Sequence, residues 1–127
     1  MQRSLVLVVS LCLVVVASVA AFSGRTDDPL GVAVSPHTLI LGADQGGTVA
    51  VHTAIPLSAV DTSTLYLNGI EVMWTKADAR GELVAMFSED AVKAIVTPPS
   101  ALLTLTGQMA DGADFWGSDE ARVVIEK

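Results

Sequence analysis

The amino-acid sequence predicts an all-β fold: an immunoglobulin-like antiparallel two-sheet β-sandwich of about seven strands with one short crossover helix. Three observations carry that expectation. From Val32 onward the apolar residues recur with period two, the period of a strand with one buried face, rather than 3.6. Turn-forming pairs at Gly46-Gly47, Asn68-Gly69 and Asp111-Gly112 cut the chain into short runs. A single stretch, Ser88 to Val96, has the caps of a helix and stands between two strand-like runs, where a crossover belongs. A small closed barrel is the alternative, and it asks for more even strand spacing than this chain has.

The elements follow in order. "PHTLILG" reads as a strand ending before Gly46-Gly47. In "TVAVHTAIP" one face carries Val49, Val51, Thr53 and Ile55, the other Thr48, Ala50, His52 and Ala54, and Pro56 ends the run. Asp61 before "TST" suits an Asx-turn that orders the chain into the next strand. "TLYLNGIEVMW" holds Asn68-Gly69 between two β-prone runs, and that pair supplies the positive φ values of a type I′ hairpin turn. Leu65 and Leu67 then point inward and Tyr66 outward. "KADARG" is turn-like and leads into "ELVAMF", with Leu83, Ala85 and Phe87 on one face. In "SEDAVKAIV" Ser88 can cap, Glu89 and Asp90 occupy the first turn where the helix dipole favours acids, Val92 with Ile95 or Val96 forms one apolar stripe, and Pro98-Pro99 stops it. The last hairpin turns at Asp111-Gly112 and sets Leu103 and Leu105 inward against Ala121, Val123 and Ile125.

Before this domain stands a segment of a different kind. Residues 1–21 read as a signal peptide: Arg3, an apolar run from Leu5, and small residues at Ser18, Ala20 and Ala21 that suit cleavage. The run to Phe22 also approaches the length that spans a bilayer, so an uncleaved membrane anchor over residues 5–22 is the alternative. Residues 22–31 read as a linker and 32–127 as one domain. The expected localisation is secreted or periplasmic. The one cysteine, Cys12, falls inside the apolar run without the small residue before it that a lipoprotein site wants, so the mature chain is expected to hold together on its core alone, without a disulfide. A formal net charge of −7 argues against nucleic acid and against an anionic membrane surface as partner.

Candidate chemistry is sparse. His37 and His52 are the only histidines and form neither an HExxH motif nor part of a CxxC set, so zinc is not expected. There is no Gly-x-Ser-x-Gly elbow for a serine nucleophile. Asp111 with Asp114, or Asp119 with Glu120, could serve as a glycosidase pair, but Asp111 is the residue an Asp-Gly turn demands and the others read as solvated surface. No enzyme and no cofactor is expected. The aromatic residues are the sharper question. Tyr66, Trp74 and Trp116 could form a ligand platform for stacking sugars or docking a protein, whereas a sandwich with only Phe87 and Phe115 in residues 32–127 would use both tryptophans as core or core-edge volume. The second reading is the one the volume argument favours.

On "VDTSTLYLNG", "WTKADARGELVAMF" and "LTGQMADGADFWGSDEARVVI", from about Ser35 to Ile125, the chain resembles bacterial exported Ig-like domains of large surface and secreted proteins, sometimes found beside dockerin-type calcium repeats. The resemblance implies a structural or protein-interaction module of the cell envelope or extracellular space, with a protein or polysaccharide as partner and no catalytic activity. Some members carry an Asp-rich, calcium-like loop before the "LVAMF" strand; here that loop is "KADARGE", with too few carboxylates for the six to eight oxygens that calcium usually takes. A carbohydrate-binding module built on the aromatic residues is the runner-up, and a small hydrolytic or metal-dependent enzyme the more distant one.

Overall fold

The computed structural model describes residues 29–126. The expected leader, residues 1–21, and most of the expected linker lie outside them. The described residues form nine strands: β1 Val32–Ser35, β2 Thr38–Ile40, β3 Thr48–Pro56, β4 Val60–Leu67, β5 Ile70–Glu71, β6 Trp74–Ala77, β7 Glu82–Ser88, β8 Ser100–Met109 and β9 Asp114–Val124. One helix, α1, covers Glu89–Lys93 between β7 and β8. The strands make a four-stranded sheet of order β1-β3-β7-β6 and a five-stranded sheet of order β2-β9-β8-β4-β5. Lettered along the chain, these are the orders A-B-E-D and A′-G-F-C-C′ of an immunoglobulin-like sandwich, with α1 at the crossover from E to F.

Two features go beyond the expected seven antiparallel strands. A strand precedes the expected "PHTLILG" run: β1 pairs antiparallel with β3, whereas β2, within that run, pairs parallel with β9. That parallel pair makes the five-stranded sheet mixed. The run after Asn68-Gly69 is divided, into β5 beside β4 and β6 beside β7, so the chain changes sheets near Val72-Met73. At each change of sheet the inward residues change phase, from Val32 and Val34 to Leu39 and Leu41, and from Ile70 and Val72 to Thr75 and Ala77, which pair with the inward Ala85 and Leu83.

The turns form as their residues require. Asn68 has φ 48° and Gly69 φ 86°, and β4 and β5 pair across them at Leu67 and Ile70. The Asn68 side chain also reaches β8, where its Oδ1 accepts the Thr104 N–H at 2.7 Å and its Nδ2 donates to the Leu102 carbonyl at 3.1 Å. Asp61 makes the expected Asx-turn, accepting the Ser63 N–H at 3.1 Å and its hydroxyl at 2.6 Å. Asp111 Oδ1 accepts the Ala113 N–H at 3.0 Å at the tip of the last hairpin. Ser88 caps α1 by accepting the Ala91 N–H at 3.2 Å.

The core is aliphatic around one ring. Phe87, Leu65, Leu67, Leu103 and Leu105 are fully buried with Val49 and Val51, and each such leucine stabilises the fold by about 1.5–3 kcal/mol relative to exposure. Val92 of α1 is buried, as is Val96 beyond the helix end, and Ile95 faces solvent. At the end of β9 the alternation stops counting: Ile125, expected inward, is 64% exposed because it lies beyond the last paired residue. Trp74, expected in or at the core, is 48% exposed. It sits on β6, at the edge of its sheet, on the face turned away from the interior, and leucine and valine fill the volume it was expected to supply.

Two inward glycines set how closely the sheets and the entering chain approach. A Cβ on Gly107 would meet Leu65 Cδ2 at 2.7 Å and Phe115 Cζ at 2.8 Å, and a Cβ on Gly117 would run into the Leu30 carbonyl oxygen. The Leu30 N–H donates to the Trp116 carbonyl at 2.7 Å, so the chain before β1 runs along the start of β9. Further along, Asp119 Oδ2 accepts the Val34 N–H at 2.8 Å and ties β1 to β9 across the open side of the sandwich.

Candidate functional site

The alternation that buries Leu65, Leu103 and Leu105 turns their neighbours to the outer face of the five-stranded sheet. Tyr66 on β4 pairs with Thr106 on β8, and Thr106 pairs with Trp116 on β9. Tyr66, Thr106 and Trp116 therefore form a row across three adjacent strands, its two aromatic positions roughly 10 Å apart at the backbone. Tyr66 is 41% exposed and Trp116 half-buried. The Asx-turn at Asp61 lies where the β4–β8 register shifts, between Asp61 and Tyr66. Beside that irregularity opens a cleft of about 390 Å³ whose walls include Ser63, Thr64, Tyr66, Thr106, Gln108 and Asp114.

Its polar groups are partly organised. Thr64 Oγ1 donates to the Asp61 carbonyl at 2.7 Å and accepts the Gln108 N–H at 2.8 Å, bridging the bulged part of β4 to β8. Gln108 Nε2 donates to Asp114 Oδ1 at 3.2 Å, an exposed bond that leaves the amide oxygen and the second carboxylate oxygen to accept from a ligand. Hydrogen bonds from the Ser63 hydroxyl and N–H hold the Asp61 carboxyl below the usual aspartate range.

The three aromatic residues proposed as one platform do not come together. Tyr66 and Trp116 share a face; Trp74 stands on the outer face of the other sheet, paired with Met86. Of the two readings of the tryptophans, burial fails for Trp74 and holds in part for Trp116.

The remaining carboxylates and the histidines are dispersed over the fold. Asp78 Oδ1 accepts the Arg80 N–H at 2.8 Å and the Glu82 N–H at 3.0 Å. These two bonds, Glu82 first, lower its pKa from the ordinary aspartate value. They close the turn in the "KADARGE" loop. His37 Nε2 lies 3.9 Å from Asp119 Oδ1, while His52 is on the outer face of the four-stranded sheet, paired with Val84. Glu120 accepts from the Ser100 hydroxyl at 3.1 Å. Among the described residues no three His, Cys, Asp or Glu side chains are grouped as a metal site would need. No described helix is long and apolar enough to cross a membrane.

One functional-looking residue escapes sequence reasoning. Glu89, expected as a first-turn acid favoured by the helix dipole, is 3% exposed. Its Oε1 accepts the Gly47 N–H at 2.6 Å, its Oε2 accepts the Gln45 N–H at 2.8 Å, and Lys93 one helical turn on donates to it and to the Ala43 carbonyl. The bond from Lys93, followed by those from Gln45 and Gly47, holds the Glu89 carboxyl below the usual glutamate range. The only local signal for this lock is the i, i+4 spacing of Glu89 and Lys93, which many exposed helices share. A depression of about 470 Å³ lies over it, lined by Asp44, Asp90, Glu89 and Lys93, of which Glu89 and Lys93 fasten the loop of residues 43–47.

Comparison with known proteins gives no match among family models, curated proteins or solved structures.

Proposed function

We propose that the chain is a non-catalytic, exported Ig-like module that attaches to a component of the cell envelope or extracellular space through the outer face of its five-stranded sheet. One observation carries the reading. Asp61, Asp78, Asp111, Asp119 and Glu89 all accept backbone N–H bonds that shape turns or join strands, while the row of Tyr66, Thr106 and Trp116 lies on an outer face beside a polar cleft. These five carboxylates serve the fold, while an exposed tyrosine and a half-buried tryptophan share one outer sheet face. Binding modules are built in this way, with an apolar body and a few placed polar groups. Export rests on the leader-like residues 1–21 of the sequence.

Co-sedimentation with detergent-washed envelope material of the producing cell tests the proposal. The wild-type protein and a His52→Arg variant, altered on the other sheet, are expected in the pellet, and Thr106→Arg in the supernatant. All three proteins remaining in the supernatant, or all three pelleting alike, would overturn it.

A further inference from the structure

The proposed attachment face has a chemistry that selects among ligands. Along the row from β4 to β9 an exposed phenol ring, a threonine hydroxyl and an indole follow one another at strand spacing. The cleft beside Tyr66 adds the Ser63 and Thr64 hydroxyls, the Gln108 amide and the Asp114 carboxylate. We propose that this surface binds a neutral polysaccharide, with a sugar ring stacked on Tyr66 and its hydroxyl groups bonded to Gln108 and Asp114; the proposal rests on the reading of this face as the attachment surface.

Three arguments select that occupant. An aromatic ring presents a flat apolar surface with a polar tip, which matches a sugar's two characters: C–H groups on its faces and hydroxyls around its rim. A small number of acceptors and donors at the edge of the ring then fixes orientation, and the Gln108–Asp114 pair offers both an amide and a carboxylate at one point. Two aromatic positions roughly 10 Å apart reach beyond a single sugar ring, so the row suits a chain rather than a monosaccharide.

Charge excludes the acidic alternatives. The chain carries a formal net charge of −7, Asp114 stands in the cleft, and no lysine or arginine lines it. Arg122 shares this face of β9 but is paired with Ser100, six residues from Trp116, about 20 Å along the strand. A uronic-acid polymer or a phosphorylated glycan would therefore meet like charge at the ring that is to hold it.

Affinity electrophoresis of the purified protein through gels containing hydroxyethylcellulose, galactomannan or xylan, with polygalacturonate as the acidic counterpart, tests the proposal. At least one neutral polymer is expected to retard the protein and polygalacturonate is not. Tyr66→Ala should weaken that retardation at least tenfold, Tyr66→Phe should keep most of it, and Trp74→Ala on the opposite sheet should leave it unchanged. Thermal unfolding of each variant confirms that the fold survives. Retardation by polygalacturonate alone, a Tyr66→Ala variant that binds like wild type, or no retardation in any gel each overturns the polysaccharide assignment. In the last case the envelope assay separates the two ideas: pelleting that Thr106→Arg abolishes leaves an attachment face with a protein partner, and no pelleting removes both.

Discussion

On the outer face of the four-stranded sheet, the interior strand β7 turns Val84 and Met86 outward, and both are buried. On the outer face of the five-stranded sheet, the central strand β8 turns Leu102, Thr104, Thr106 and Gln108 outward, and three of these are exposed. The same alternation produces both faces. The residues on the central strands differ: β7 presents apolar Val84, between His52 and Lys76, and apolar Met86, between Ala50 and Trp74, whereas β8 presents mostly polar side chains. Thr106 has Tyr66 and Trp116 at its sides, with a polar cleft along the row. An exposed aromatic residue thus means two things in one molecule. Trp74 shelters its own sheet, whereas Tyr66 stands over groups that still have bonds to offer.

Truncating the middle of each face gives the largest expected contrast. Met86→Ala should destabilise the protein by about 2–5 kcal/mol, as removal of a buried apolar side chain does, and Thr106→Ala should stay within about 0.5 kcal/mol of wild type. Chemical denaturation checks both, and equal losses would erase the distinction between the faces. Next in size is Gly117→Ala, which forces the new Cβ against the Leu30 backbone beside Trp116; overpacking of that kind costs about 1–3 kcal/mol and should show as an earlier unfolding midpoint.

Acid sharpens the comparison from outside both faces. Asp61, Asp78 and Glu89 have folded pKa values below their ordinary ones, so the unfolded chain takes up protons first as pH falls. Their contribution is complete above about pH 5 and is lost as pH drops through their lowered values. Glu89→Gln should flatten that acid limb in a melting-temperature series and leave the binding face intact, since Glu89 fastens the loop of residues 43–47. An acid limb as steep as wild type would show that this carboxylate does not carry it. The smallest stability effect belongs to Tyr66→Ala, expected within about 0.5 kcal/mol by thermal unfolding; a loss of several kcal/mol would make that ring structural.

What the sequence reveals and what it hides divide along the range of the interactions. Asn68-Gly69, Asp61, Asp111-Gly112 and the Ser88 cap are readable because a few adjacent residues contain the whole physical reason. The outward placement of Tyr66 follows from two leucines beside it. Hidden are the bond from Val34 to Asp119 across 85 positions and the Gln45 and Gly47 bonds to Glu89, which no period or spacing encodes. Trp74 misleads for a related reason. Volume alone favours a large ring inside a core, but which sheet edge a strand occupies decides its exposure, and that is set by pairings far along the chain.

The chain contains one tyrosine, and it is Tyr66. Protein labelled with 3-fluorotyrosine therefore gives a single fluorine resonance at the centre of the proposed surface, and titrating it with the neutral polymer that retards the protein reads that surface directly. The account predicts that the resonance shifts or broadens in step with binding and that Thr106→Arg abolishes the change. A resonance that stays fixed while the polymer binds would place the ligand elsewhere on the sandwich and contradict the assignment of this face.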